Sequence, residues 1–204
     1  RDVANGFRVP FRMGPRQIFD FTCHPNWSLR SLIAGPPKPM NYHTSNSKSA
    51  FVREDSRGGV DWTYLTALRK RWKGKLIVKG VTHRDDALRL CDAGADAIYV
   101  SNHGGRQLDS APAAIHCLAA IRDAVGADYP LLFDSGIRSG DDIVRALAVG
   151  ANFVMLGRPV LYALGAGGAS GLSSYLDRLE NDVKTVMAQI GTTQINEINR
   201  SVLA

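Results

Sequence analysis

The stretch Ser101-Asn102-His103-Gly104-Gly105-Arg106-Gln107 sets an imidazole and a guanidinium three residues apart in a glycine-rich turn. It follows Ala97-Ile98-Tyr99-Val100, an apolar run that reads as a buried strand. An imidazole can take a proton near neutral pH. A guanidinium can hold a carboxylate through two parallel hydrogen bonds. A base and an anion clamp at a strand end suit a reaction on a small carboxylate. His103 taken alone reads more readily as a structural histidine; the two glycines and Arg106 beside it favour the chemical reading.

Three further strand ends carry chemistry. Lys79 closes the run Leu76-Ile77-Val78, and an ammonium in apolar surroundings needs an anionic partner. That partner is either a carboxylate at the mouth of the fold or an electron-rich cofactor atom, where the charge would stabilise a developing anion. Asp134-Ser135-Gly136-Ile137-Arg138 and Gly157-Arg158 each join glycine and arginine at a helix start. Helix N-termini favour phosphate, and arginine grips it bidentately. Either arginine alone could equally form a surface ion pair; two in consecutive units point to a phosphate site. No cluster has the spacing of a metal site, and His24, His43, His83 and His116 sit in contexts that suggest no role.

These residues need elements to hold them. Helices are expected over 62–72, 83–93 (capped by Thr82), 112–125, 141–149 (capped by Ser139) and 171–190. Strands are expected over 75–79, 97–101, 130–134 and 152–157. Strand–helix alternation with continuously apolar strands means a parallel sheet carrying helices on its outside. The segments Ala93-Gly94-Ala95-Asp96-Ala97 and Val149-Gly150-Ala151-Asn152-Phe153 are near-copies, a weak internal repeat of the kind barrels show. No GxGxxG follows the first strand, as a doubly wound nucleotide fold would require. The strand C-terminal ends of a parallel barrel carry its site.

Residues 1–60 read as a separate segment, a long loop in which Arg8, Arg12, Arg16 and Arg30 mingle with Phe7, Phe11, Phe19, Phe21 and Trp27. The pieces 18–22 and 27–32 could form helical turns, and Gly35-Pro36-Pro37 breaks any helix. Such a mixture reads as a solvated loop or as a segment lying on an anionic membrane surface. At 204 residues and a net charge of +6, the chain has the composition of an ordinary globular domain. It shows no membrane-spanning run and no signal peptide, although Arg1 stands first in place of Met. Cys23, Cys91 and Cys117 are few and widely spaced, which fits reduced cytoplasmic thiols. The arginines converge on one predicted site instead of forming a stripe, which speaks against nucleic acid as a partner.

Together, Val78-Lys79-Gly80, the 101–107 stretch, 134–138 and Leu156-Gly157-Arg158 resemble the FMN-dependent α-hydroxy acid dehydrogenase and oxidase family. Arg1-Asp2 and Asn5-Gly6-Phe7 resemble the segment just after that family's fourth barrel strand. The resemblance implies an α/β fold of the TIM type, a (β/α)8 barrel of which this chain supplies the C-terminal half over 61–204. It implies FMN as cofactor and oxidation of an L-2-hydroxy acid such as lactate or mandelate to the 2-oxo acid. It makes His103 the active-site base, Arg106 the substrate carboxylate clamp and Lys79 the group that stabilises reduced flavin. Ser101 would line the flavin, while Asp134, Ser135, Gly136, Arg138, Gly157 and Arg158 would hold its ribityl chain and phosphate. The absent N-terminal half would be a partner and would supply the remaining flavin and substrate contacts. The basic, aromatic 1–60 segment favours peripheral contact with the cytoplasmic face of a membrane and a quinone or cytochrome as electron acceptor. An O₂-using oxidase, another FMN-dependent or phosphate-binding barrel enzyme, and a catalytically silent half-barrel scaffold are the alternatives. Family members commonly form homo-oligomers, and the same is expected here.

Overall fold

The computed structural model describes residues 13–35 and 60–203. The expected features at Arg1-Asp2 and Asn5-Gly6-Phe7, and the prolines after Gly35, lie outside the described residues. The chain divides into two units, 1–59 and 60–204. In the first, α1 (Pro15–Cys23) and α2 (Pro25–Ala34) each start with a proline, whose fixed φ suits a first helical turn. His24 ends one helix and opens the next, and α2 stops at Gly35, where φ is 70°. Neither helix has a buried residue. Ile18, Phe19, Trp27, Leu29, Leu32 and Ile33 range from 53 % to 80 % exposed. The Phe21 and Trp27 rings stack at 5.6 Å.

The second unit begins with α3 (Trp62–Arg71), capped by Asp61, whose side chain accepts from the Tyr64 N–H. Then follow β1 (Ile77–Val81), α4 (Arg84–Asp92), β2 (Ala97–Val100) and α5 (Ala114–Val125). The chain continues through β3 (Leu131–Phe133), α6 (Gly140–Val149), β4 (Phe153–Val154) and α7 (Arg158–Gln189). All four strands pair in parallel, in the order β1-β2-β3-β4. A monotonic order winds the sheet one way, as a barrel requires; a doubly wound sheet reverses at its switch point.

The two faces of this sheet differ in cover. Ile98, Val100, Leu131 and Phe133 are at most 1 % exposed and pack with Ala87 and Leu90 of α4 and Leu118 and Ile121 of α5. The register places Lys79, Tyr99, Leu132 and Phe153 in one row across the four strands. Phe153 is 59 % exposed in that row, and Ile77 of the other outer strand is 48 % exposed. Helices thus seal one face, while the row that a closed barrel would turn inward is only partly covered. Strands β1 and β4 each have one neighbour among the described residues.

Several boundaries move from where the pattern put them. β1 runs two residues later than 75–79, so Lys79 stands inside the strand. The pairing shifts between Lys79 and Val81, which makes Gly80 a bulge with φ at 94°. His83, not Thr82, caps α4: its Nδ1 accepts from the Asp85 N–H at 3.3 Å. β4 shrinks to two residues, Phe153–Val154, from the expected 152–157. α7 begins at Arg158, well before 171, since Pro159 starts a helix as readily as Gly165-Ala166-Gly167-Gly168 breaks one; Gly168 survives only as a kink. Ser139 caps α6 as expected, in a reciprocal box with Asp142.

The near-copies at 93–97 and 149–153 perform one mechanical task twice. Asp96 accepts from the Leu76 N–H at 2.9 Å and donates its own N–H to the Leu76 carbonyl at 2.8 Å. Asn152 does the same to Leu131, at 2.8 Å in each direction. Each is gripped by an arginine from the helix before the preceding strand. Arg69 bonds Asp96 and the carbonyls of Gly94, Trp72 and Gly74. Arg122, though only 9 % exposed, bonds Asn152 and the carbonyls of Gly126, Ala127, Tyr129 and Gly150. These clamps start the strands in register at the end opposite the candidate site.

Candidate functional site

At the C-terminal ends of the strands lies a cavity of about 780 Å³. Lys79, His103, Arg106, Asp134, Ser135, Gly136, Arg138, Gly157 and Arg158 all line it. Ser101 does not. It is fully buried behind the wall, where its Oγ accepts from Lys79 Nζ at 2.8 Å and from the His103 N–H at 3.1 Å. Eight of the nine lining residues named here come from three separate loops, so the loop ends converge as their spacing predicts.

Lys79 finds the carboxylate partner that burial demands, yet it also faces the cavity, so both readings of it are met in one place. Its Nζ lies 3.0 Å from Asp134 Oδ2, and its side chain is 41 % exposed. Asp134 is fixed from several sides. Its Oδ2 also accepts from the Tyr99 hydroxyl at 2.9 Å, and its Oδ1 accepts from Ser135 Oγ at 2.7 Å. Burial pushes the Asp134 carboxyl up, but hydrogen bonds from Ser101, Ser135, Lys79 and Tyr99 outweigh it and hold the group below its usual range. Asp134 is therefore a carboxylate at neutral pH.

The His103 loop is a single 3₁₀ turn (His103–Gly105) pinned by its neighbours. The Asn102 side chain accepts from the Gly105 N–H at 3.1 Å and donates to the Pro112 carbonyl at 3.0 Å. Ser135 Oγ accepts from the N–H groups of Asn102 and Gly104, at 3.3 and 3.2 Å. Arg158 Nη2 donates to the Gly104 carbonyl at 3.0 Å. Gly104 has φ at 67°, a conformation that favours glycine, and a Cβ there would stand 2.9 Å from that Nη2 and push the arginine tip aside. His103 and Ser135 themselves adopt positive φ, 56° and 86°. Each such non-glycine residue costs roughly 1–3 kcal/mol, which the surrounding bonds sustain.

The imidazole rests against the β1 bulge: a Cβ built on Gly80 would meet His103 Cε1 at 2.9 Å. The Arg106 and Arg138 guanidiniums line the cavity without an ion pair or side-chain hydrogen bond among the described residues. Cations left so are available to anions from outside. Gly136 and Gly157 line the same cavity and have nothing within 4 Å of where a Cβ would stand, which leaves open space beside their backbone.

Tyr99 is a part of this site that the residue pattern does not single out, and Gly80 and Asn102 lie in the motif stretches without a role assigned from sequence. Tyr99 read as one more residue of an apolar strand, although it stands two before Ser101 and so shares its face. Its ring lies under Lys79 Nζ, 4.3 Å from the centroid.

The model of a family described as FMN-dependent dehydrogenase matches residues 1–204. (S)-mandelate dehydrogenase of Pseudomonas putida is 38 % identical over 208 residues, which are 100 % of this chain and 52 % of that protein. L-lactate dehydrogenase of Bartonella quintana is 37 % identical over 212 residues, 100 % of this chain and 55 % of that protein. Among solved structures, that of a monotopic membrane protein, (S)-mandelate dehydrogenase, superposes with a TM-score of 0.88 at 37 % identity, covering 98 % of this chain and 55 % of the other. The chain thus spans about half the length of the curated relatives it matches.

Proposed function

Because the chain belongs to the FMN-dependent dehydrogenase family, we propose that it is the C-terminal half of a barrel that oxidises an L-2-hydroxy acid to the 2-oxo acid. The observation that carries this reading is the convergence of Lys79, His103, Arg106, Arg138 and Arg158 on one cavity. The segment 1–60 is read as a cover or membrane-contact segment, and 61–204 as the barrel half.

The donor set fits FMN. Arg138, Arg158 and the open backbone at Gly136 and Gly157 suit a phosphate. Asp134 and Ser135 suit the hydroxyls of a ribityl chain. Lys79, a cation at the cavity wall, suits the electron-rich edge of a heterocycle. Bound FMN supplies an acceptor for the two electrons that leave the substrate carbinol. Arg106 holds the substrate carboxylate and so fixes the carbinol beside His103. His103 receives, at a ring nitrogen, a proton that the carbinol loses. Lys79, steadied by Ser101 and Asp134, balances negative charge that accumulates at the cavity wall.

The substrate is of the lactate or mandelate class, and the electrons pass to a quinone or cytochrome. The name of the monotopic relative supports membrane contact. So do the exposed Phe19, Trp27, Leu32 and Ile33 beside Arg16 and Arg30 on α1 and α2. No described helix is long and apolar enough to cross a membrane. The test is the visible spectrum of the native protein. A flavin spectrum that bleaches anaerobically on adding L-lactate or L-mandelate supports the reading. A colourless protein, or a flavin untouched by any L-2-hydroxy acid, refutes it.

A further inference from the structure

We propose that Tyr99 is a positioning residue that sets how much of the Lys79 charge reaches the cavity. The inference rests on the functional reading above and deepens it.

Two contacts carry it. The Tyr99 hydroxyl donates to Asp134 Oδ2 at 2.9 Å, the same oxygen that Lys79 Nζ reaches at 3.0 Å. The Tyr99 ring also presents its face to that ammonium, 4.3 Å from the centroid. One phenol thereby touches both members of the ion pair. The register requires this: Lys79 and Tyr99 are direct partners across β1 and β2, so their side chains leave the sheet together.

The electrostatic consequence has a sign. A carboxylate that accepts a second strong hydrogen bond spreads its charge and neutralises its cationic partner less. The phenol thus loosens Asp134's hold on Lys79 and leaves more positive charge facing the cavity. Burial and the adjacent Asp134 push the Tyr99 hydroxyl well above its ordinary range, so it remains a donor at every working pH. The ring meanwhile keeps the ammonium against the sheet. Tyr99 itself does not line the cavity. Its influence therefore passes through Lys79 and Asp134.

The experiment uses the native FMN-loaded protein and reads the reduction potential of its flavin, together with flavin content. Tyr99→Phe keeps the ring and removes the hydroxyl. Asp134 then neutralises Lys79 more fully, and the reduced cofactor, which carries more negative charge, is less favoured. The expected shift of the reduced-to-oxidised equilibrium is about fivefold to tenfold toward oxidised; tenfold corresponds to about 30 mV for a two-electron couple. Tyr99→Leu likewise has no donor for Asp134, and it is expected to move the potential in the same direction should the phenylalanine variant not fold. A potential that is unchanged or higher, with flavin bound at the unmodified level, overturns the proposal and leaves the function standing. An unmodified protein without flavin overturns both.

Discussion

Gly80→Ala tests whether the β1 bulge places the imidazole. The alanine Cβ would stand 2.9 Å from His103 Cε1, with Nε2 and Nδ1 at 3.7 and 3.9 Å. Carbon atoms in comfortable contact lie about 3.5–4.0 Å apart, so the ring must retreat by about 0.5–1 Å. The backbone resists as well, because φ at Gly80 is 94° and an L-residue there costs roughly 1–3 kcal/mol. That cost is below the roughly 5–15 kcal/mol that holds a typical protein folded. A displacement near 1 Å of a group in the reacting constellation costs on the order of 10²-fold in rate. The expected outcome is therefore a protein that folds, retains FMN and is reduced by substrate about 10²-fold more slowly. Anaerobic stopped-flow at 450 nm (roughly the visible flavin band) reads the rate, and flavin content reads cofactor retention. The same substitution made in a His103→Ala background should cost little further rate, since the alanine would have no imidazole to displace. Reduction within threefold of the unmodified rate, or a full additional loss in the His103→Ala background, would refute the reasoning.

Arg106→Lys should raise KM for the 2-hydroxy acid by about tenfold or more while FMN stays bound, because a lysine cannot reproduce the planar fork; steady-state kinetics with an artificial acceptor reads this. Asp96 is held at a pKa of about 2 by its hydrogen bond from the Leu76 N–H, and then by Lys75 and Arg69. Its folded pKa lies below the unfolded value of 3.8, so its stabilising contribution is present above about pH 4 and is lost as pH falls toward 2. Asp96→Asn, the side chain that the repeat already uses at Asn152, should flatten thermal stability across that window, and an unchanged acid limb would count against the clamp. Deleting residues 14–48 should release the protein from vesicles of mixed phosphatidylcholine and phosphatidylglycerol in a flotation assay while flavin reduction by substrate persists; unchanged flotation would discard the membrane reading.

Much of the site was legible without coordinates because its chemistry is local. Glycine next to a cation at the end of an apolar run marks a strand-end loop, and parallel strands bring such loops to one edge. That argument alone gathered Lys79, His103, Arg106, Asp134, Arg138 and Arg158, and the structure has all six lining one cavity. The Gly-Ala-Asp and Gly-Ala-Asn repeat was visible too, though not its task. The arginine grip on each copy spans 27 residues from Arg69 to Asp96 and 30 from Arg122 to Asn152, and no local pattern signals such a span.

By itself the sequence determined the parallel α/β class and the residues at the strand ends, since hydrophobic period, helix caps and glycine placement act within a few neighbours, and its motifs carried the resemblance to the family. Only the tertiary structure decided how those residues address one another. The single-residue bulge at Gly80 sets the register beyond Lys79 and makes room for His103. The pairing of Lys79 with Tyr99 turns an apparent core aromatic into part of the Asp134 network. Ser101 withdrew from the cavity wall into the support behind it. Side chains alternate across a strand with a period of two, so one extra residue decides which face each presents, and cross-strand register is a property of the fold and not of any stretch of chain.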